Sequence, residues 1–162
     1  MFIRSDRLFL RPGWPEDGGA LYGCDADPQA VAQLVAPVQE WLAIRESRNF
    51  PRFLVTLPGG DGARVVGVAG LQRGPQRAEL VAWIAPEHAG QGFATEAGRA
   101  VLRLARTLGH RALDALHTAE MPAARRFVEK LGFRPTGEWR QRRGLAGGVA
   151  VSLLVNSREL IA

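Results

Sequence analysis

The sequence predicts a mixed α/β fold, an α+β arrangement in which a mixed sheet carries helices on its faces. Three observations lead there. The segments 53-FLVTL-57, 64-RVVGVAGLQ-72 and 78-AELVAWIA-85 are short and apolar, and turn clusters at 58-PGGDG-62 and 73-RGPQR-77 separate them. That is the pattern of an antiparallel meander. Two later segments repeat apolar residues every three or four positions, the period of a helix with one buried face. The two periods then alternate along the chain as strand, helices, three strands, helix, strand, helix and two strands.

Taken in order, 6-DRLFLRP-12 alternates apolar and polar residues and stops at a proline, which reads as a strand. Pro15 to Asp25 reads as a short helix. Pro28 to about Asn49 is helical in composition and interrupted near Pro37. The meander follows, and then a glycine-rich loop leads into a helix whose apolar face is Ala94, Ala97, Val101, Leu104 and Leu108, with Gly109 as its C-cap. The segment 111-RALDALH-117 is a short strand. Pro122 opens a second helix with Ala124, Phe127, Val128 and Leu131 facing inward, and Gly132 ends it so that Phe133 packs back. Two strands near 136–140 and 149–155 close the chain, joined through 144-GLAGG-148.

The 162 residues suit one domain spanning 1–162, and 46% hydrophobic content suffices for a core. No apolar run approaches the ~20 residues of a membrane span. Charges interrupt the opening 1-MFIRSDRLFLRP-12, unlike a signal peptide. A single cysteine, Cys24, excludes an intrachain disulfide and a Cys-rich zinc site, and fits a cytoplasmic protein. The net charge of +5 raises the question of nucleic acid, but the cations are scattered arginines, with Lys130 the sole lysine and 140-RQRR-143 the nearest thing to a cluster. A solvated basic surface with a mild attraction for anionic ligands is the expectation, without nucleic acid and with a monomer or homodimer.

The stretch 86-PEHAGQGFATEAGRAVLRLAR-106 carries the chemistry. A strand feeding a glycine-rich turn into a helix N-terminus makes an anion site, because the first helical N–H groups lack internal partners and the helix dipole favours negative charge. Phosphate or pyrophosphate is the natural guest. A Walker loop is excluded, since Phe93-Ala94 follows Gly92 where Lys-Ser/Thr is required. A dinucleotide fingerprint fits poorly, since Thr95 stands at the third glycine.

The window Ala89-Gly90-Gln91-Gly92-Phe93-Ala94 resembles the pyrophosphate loop of the GNAT acetyltransferase superfamily, Arg/Gln-x-x-Gly-x-Gly/Ala. Gly92 and Ala94 match, and Ala89 stands where Arg or Gln is usual. The stretches 5-SDRLFLRP-12, 90-GQGFATEA-97 and 129-EKLGF-133 are similar to the branch containing the ribosomal-protein alanine N-acetyltransferases, and the resemblance runs over roughly residues 3–155. It implies the GNAT fold, a central, mostly antiparallel sheet with a splayed parallel strand pair and helices on both faces. It also implies acetyl-CoA as cosubstrate, bound where strands 78–85 and 111–117 diverge. Ala82, Trp83 and Ile84 would then bond the pantetheine arm through their backbone. Ala89, Gly90, Gln91, Gly92, Phe93, Ala94 and Thr95 would hold the pyrophosphate.

The implied reaction is acetyl transfer to a primary amine, a protein N-terminus or a small molecule, by direct attack on the thioester. A backbone N–H near Ala82 or Trp83 would steady the oxyanion. Glu79 is the first candidate for general base, directly or through water, and its alternative is a solvated strand carboxylate. Glu96 is a second candidate, or a first-turn acid stabilised by the helix dipole. His117, at the end of the strand across the gap, is within reach of substrate or else structural. No metal is expected, because His88, His110 and His117 lack metal-ligand spacing. Cys24 reads as a packed thiol, and Trp41 falls in the helical region that lines the substrate side of this fold.

The sequence departs from the family at three polar positions. Met121 replaces an Asn that touches the cofactor arm, and Ala124 and Val128 replace a Ser and a Tyr that serve as proton donors in some branches. A non-catalytic acyl-CoA-binding sensor is therefore the alternative function.

Overall fold

A computed structural model describes residues 1–21, 23–44, 48–143 and 150–160. Its strands are β1 (Ile3–Arg4), β2 (Phe9–Arg11), β3 (Arg52–Leu57), β4 (Arg64–Gln72), β5 (Ala78–Ile84), β6 (Ala112–His117), β7 (Arg134–Arg143) and β8 (Ala150–Glu159). Its α-helices are α1 (Pro28–Gln33), α2 (Val38–Ala43), α3 (Phe93–Thr107) and α4 (Pro122–Lys130). The eight strands form one sheet in the order β1-β2-β3-β4-β5-β6-β8-β7. Every neighbouring pair is antiparallel except β5 and β6, which run parallel.

The expected mixed sheet with helices on both faces is what the chain forms. On one face, Leu80 and Ala82 of β5 and Leu113 and Ala115 of β6 pack against Ala97, Val101 and Ala105 of α3 and Val128 and Leu131 near α4. On the other, Leu54, Val68, Val81 and Trp83 pack against Cys24, Ala30, Leu34, Val38 and Trp41. Alternation along β5 sorts its side chains between these two cores.

The two long helices end as their sequences require. Gly109 and Gly132 adopt left-handed φ of 93° and 85°. They direct paired bonds back onto the last turn, His110 N–H to the Ala105 carbonyl at 3.0 Å and Phe133 N–H to the Val128 carbonyl at 2.9 Å. Asp27 caps α1 by accepting the Gln29 N–H at 2.9 Å, with Pro28 in the first turn.

The differences from expectation are local. The expected helix at Pro15–Asp25 is two 3₁₀ segments, Pro15–Leu21 and Cys24–Ala26, in a stretch with three glycines. The helical region 28–49 divides at Leu34, whose extended backbone carries the chain to Pro37. The last two strands outrun their expected spans, because each pairs along most of its length with the other. The 144–148 connection lies outside the described residues.

Gly67 of β4 sits against Trp83 of β5, and a Cβ there would overlap the Trp83 carbonyl oxygen. Since that oxygen belongs to backbone, relief requires the two strands to part. Gly67→Ala is expected to cost about 2–3 kcal/mol, the upper part of the usual overpacking range. Urea unfolding of the two proteins at equal m-value checks it.

Candidate active site

The site begins where β5 and β6 stop pairing. Their parallel register holds Ala78 opposite Leu113 and Glu79 opposite Asp114. Beyond that the strands diverge. The Ala85 N–H donates to Val66 of β4 at 2.8 Å. Backbone groups alternate sides along a strand, so the odd-numbered positions of β5 face β4 and Leu80, Ala82 and Ile84 turn theirs toward β6. The Ala82 N–H is donated instead to Oε1 of Gln33, at the end of α1, at 2.9 Å. The divergence thus exposes a main-chain donor that only a side chain satisfies.

After β5, a 3₁₀ turn at Pro86–His88 leads into the glycine loop. Gly90 and Gly92 both have φ of 81°, a conformation that side chains disfavour. Gly92 is the N-cap of α3 and offers no capping side chain, which leaves the first N–H groups of that helix uncapped by it.

Arg7 braces this loop from outside. Its Nη1 donates to the Gln91 carbonyl at 2.8 Å and its Nε to Glu96 Oε1 at 2.7 Å, while the guanidinium lies 4.5 Å from the centre of the Phe93 ring. The Arg7 N–H and the Ser5 hydroxyl donate to Glu96 Oε2 at 2.8 and 2.5 Å. Burial pushes the Glu96 carboxyl upward, but the bonds from Ser5 and from the Arg7 backbone and side chain outweigh it and hold the group below its ordinary value. Glu96 is thereby a structural brace.

A groove of about 290 Å³ runs from Ala82 and Ile84 past His88, Ala89, Gly90, Gly92, Phe93, Ala94 and Thr95. Its far wall is α4, with Ala124, Arg126, Phe127 and Lys130. Ala124 and Phe127 are half-buried and line this groove, and Phe127 also packs against the core beside α3. A second recess of about 550 Å³ meets it at Gly92, Thr95 and Lys130 and adds Arg99 and Arg103. Eight of the ten residues expected to hold the cofactor therefore line one groove. Gln91 is exposed and gives its carbonyl to Arg7. The Trp83 side chain is buried on the opposite face, with no hydrogen-bond partner for its Nε1 among the described residues. Sequence reasoning missed Gln29, Gln33 and the cations Arg7, Arg99, Arg103 and Arg126. The i, i+4 spacing of Arg99 and Arg103 in α3 was the available signal.

Glu79 is not the free carboxylate that a general base requires. Its Oε1 accepts from Arg142 at 2.8 Å and Gln72 at 2.9 Å, and its Oε2 accepts from Arg140 at 2.7 Å and Arg142 at 3.1 Å. A carboxylate has about four acceptor sites, so the group is saturated. Asp114, beside it on β6, accepts from Ser157 and Arg77 and faces Arg140 at 3.7 Å. The sequence did not disclose this pairing because both arginines come from β7, some sixty positions away.

The remaining expectations resolve by burial. Burial pushes the Cys24 thiol up to about 12, so it is packed and inert. Trp41 is buried and donates through Nε1 to Gln72 at 2.8 Å. It orients the side chain that holds Glu79 and presents no exposed surface. His110 bonds the Asn49 carbonyl at 2.7 Å. His88 lines the groove. His117 lines a small void between β5 and β6 with Leu80, Gln33, Met121, Ala124 and Val128. The described residues contain no cluster of metal ligands, and no described helix is long and apolar enough to cross a membrane.

The Glu96 brace has a defined pH signature. A carboxyl held below its unfolded value of 4.5 adds stability that is fully present above that value and is lost as the pH falls through the folded one. The stability difference between wild type and Glu96→Gln is expected to be constant near pH 6 and to shrink steadily below about pH 4.5. Urea titrations of both proteins across that range provide the measurement.

The sequence profile of the acetyltransferase (GNAT) domain matches residues 7–134. An uncharacterised N-acetyltransferase of Bacillus subtilis, YoaA, is 25% identical over 154 residues, covering 86% of each chain. A Bacillus anthracis acetyltransferase of the GNAT family superposes with a TM-score of 0.74 at 19% identity, over 99% of both chains. The Salmonella typhimurium protein yncA, solved with its cofactor acetyl-CoA, gives a TM-score of 0.69 at 20% identity, over 96% of this chain and 95% of that one. On the match of its sequence to the domain profile, the chain belongs to the GNAT acetyltransferases, enzymes that transfer the acetyl group of acetyl-CoA.

Proposed function

We propose that the protein is an N-acetyltransferase working as one unit over residues 1–162 in the cytoplasm, with acetyl-CoA bound in the groove between β5, α3 and α4. The acceptor is a primary amine. A protein N-terminus is the first choice over a small amine, on the similarity of 5-SDRLFLRP-12, 90-GQGFATEA-97 and 129-EKLGF-133 to the ribosomal-protein alanine N-acetyltransferases. The observation that carries the reading is the continuity of one groove from the Ala82 N–H to the uncapped start of α3.

The residues present fit such a donor. Backbone N–H groups at Gly92–Thr95 and the cations Arg99, Arg103 and Lys130 suit its phosphates. Ala124 and Phe127 offer an apolar wall for the arm. Bound acetyl-CoA supplies the activated acyl group. The Ala82 N–H, once released by Gln33, is aimed where the thioester oxygen gains charge. The neutral amine attacks directly, so no acyl-enzyme is needed, and inert Cys24 offers none.

The anion loop is tested at Gly92, where a Cβ meets only Arg7 Nη2 at 3.4 Å, so the substitution is limited by the left-handed φ of 81° and not by space. Gly92→Glu places a carboxylate where the phosphates lie and is expected to weaken acetyl-CoA binding at least tenfold, or about 1.4 kcal/mol. Calorimetry on protein with native circular dichroism measures this. Unchanged affinity would remove the groove as the donor site. Thiol release with N-terminal peptides against small amines then identifies the acceptor class.

Glu79 is assigned the role of anchoring Arg140 and Arg142 beside the acceptor side of the splay, instead of taking the proton. Glu79→Gln should cost about 3 kcal/mol, because it leaves two largely buried guanidinium groups without their anion. The rising limb of the pH–rate profile should survive in the folded variant. Its disappearance would return the base role to Glu79.

A further inference from the structure

We propose that His117 is the catalytic residue that protonates the departing sulfur, an inference that rests on the groove being the acetyl-CoA site. Three polar positions that supply proton donors or cofactor contacts elsewhere in the family are Met121, Ala124 and Val128 here. In the structure these three line one void between the diverging strands, and the same void is lined by His117. It is the only titratable side chain among the lining residues. Around it, α1 presents Gln29 and Gln33, β5 presents Leu80, β8 pairs Leu154 with it, and α4 presents the three apolar replacements. No charged group from these elements lines the void.

Register places the ring at the reacting level. Glu79 lies opposite Asp114, so three residues further along each strand Ala82 and His117 stand on the two sides of the gap. A thioester whose oxygen meets the Ala82 N–H has its sulfur in the space between them. The chemistry of the ring also fits. Nδ1 lies 2.8 Å from the Thr118 carbonyl, an acceptor, so Nδ1 carries a proton. Nε2 has no hydrogen-bond partner among the described residues and is left to exchange a proton with the reacting groups.

The step balances without an added reagent. As the amine nitrogen bonds to the acyl carbon, the C–S bond breaks and its electron pair stays on sulfur. Nε2, bare in the ring that donates from Nδ1, takes the excess proton from the attacking nitrogen, directly or through water. It passes that proton to the sulfur, which gives the free thiol and restores the ring.

The test needs no acceptor. The three histidines give a resolvable imidazole spectrum. Nuclear magnetic resonance titration of His117 is followed in the protein alone, with CoA and with desulfo-CoA, which lacks the sulfur. His117→Gln, which keeps a donor for Thr118, assigns the signal and reports the bound thiol by its ultraviolet absorption. The expected result is a shift of the His117 titration by about half a pH unit or more with CoA and none with desulfo-CoA, a threefold change in proton affinity. The bound thiol should also titrate higher in His117→Gln. Turnover of that variant with any acceptor found by thiol release should fall about 10²-fold, with acetyl-CoA affinity unchanged. Equal shifts with both ligands, or no shift while CoA binds, would overturn the assignment and leave the groove intact. Failure of CoA to bind at all would overturn the groove and the assignment with it. If His117→Gln does not fold, the comparison of CoA with desulfo-CoA in wild type still decides.

Discussion

The geometry of the splay depends on one cluster of buried charge, the Glu79 and Asp114 carboxylates with Arg140 between them. These carboxylates occupy the last paired rung of β5 and β6. Two anions side by side in a low-dielectric interior repel unless a cation lies between them. Arg140 fills that position, 2.7 Å from Glu79 and 3.7 Å from Asp114, and Arg142 and Arg77 add to it. The parallel pairing ends at a fixed residue because the charges there are matched from β7. Packing into two cores resists a one-residue slip, which exchanges the faces of the strand, but discriminates less against a two-residue slip. A buried ion network specifies one register, since any slip strands a charge.

The same cluster is tied to the groove through α1. Gln72 donates to Glu79 and also to the main-chain carbonyl of Gln33 at 2.6 Å, and Arg142 donates to that carbonyl at 3.1 Å. The backbone at the end of α1 is therefore tied to the ion network. The Gln33 side chain, held among the described residues only by the Ala82 N–H and a weak 3.3 Å contact to the Gln29 carbonyl, can leave without disturbing it. A carbonyl arriving at Ala82 exchanges one hydrogen bond for another, which keeps the net cost of opening the site small. Rigid backbone with one exchangeable side chain is how the fold keeps a main-chain donor satisfied and still available.

Local features were legible in the sequence and distant ones were not. Gly109 and Gly132 declared their helix ends, because a left-handed C-cap is a property of a few consecutive residues. The meander strands fell within one or two residues of their observed bounds, and 86–106 declared a glycine turn into a helix N-terminus. The pairing of Glu79 was hidden for a physical reason. Its saturation by Arg140 and Arg142 spans 61 and 63 positions, and nothing in the local composition distinguishes an ion-paired carboxylate from a free one. The brace from Arg7 to Glu96 spans 89 positions and was equally hidden, although both residues lay inside stretches read as family-like. The division of α1 from α2 was signalled by Pro37, but the 3₁₀ geometry of 15–26 was not.

The arginine-rich composition acquires a different meaning once these positions are known. A net charge of +5 spread along the sequence suggests a solvated basic surface. In the fold, Arg140, Arg142 and Arg52 are mostly buried and spend their donors on Glu79, Asp114 and main-chain carbonyls. Arg7 and Arg11 are committed to Glu96 and Asp17, and the bond to the Arg11 guanidinium holds the Asp17 carboxyl below its ordinary value against burial, which pushes it up. The cations that remain around the anion loop, Arg99, Arg103, Arg126 and Lys130, come from only two helices, α3 and α4. The field they produce is confined to the mouth of one groove. It is suited to gathering a compact polyanion rather than to tracking a long nucleic-acid backbone, which needs cations strung along a face. Guanidinium groups serve both purposes because a planar fork can close a buried ion pair and grip a phosphate with the same geometry.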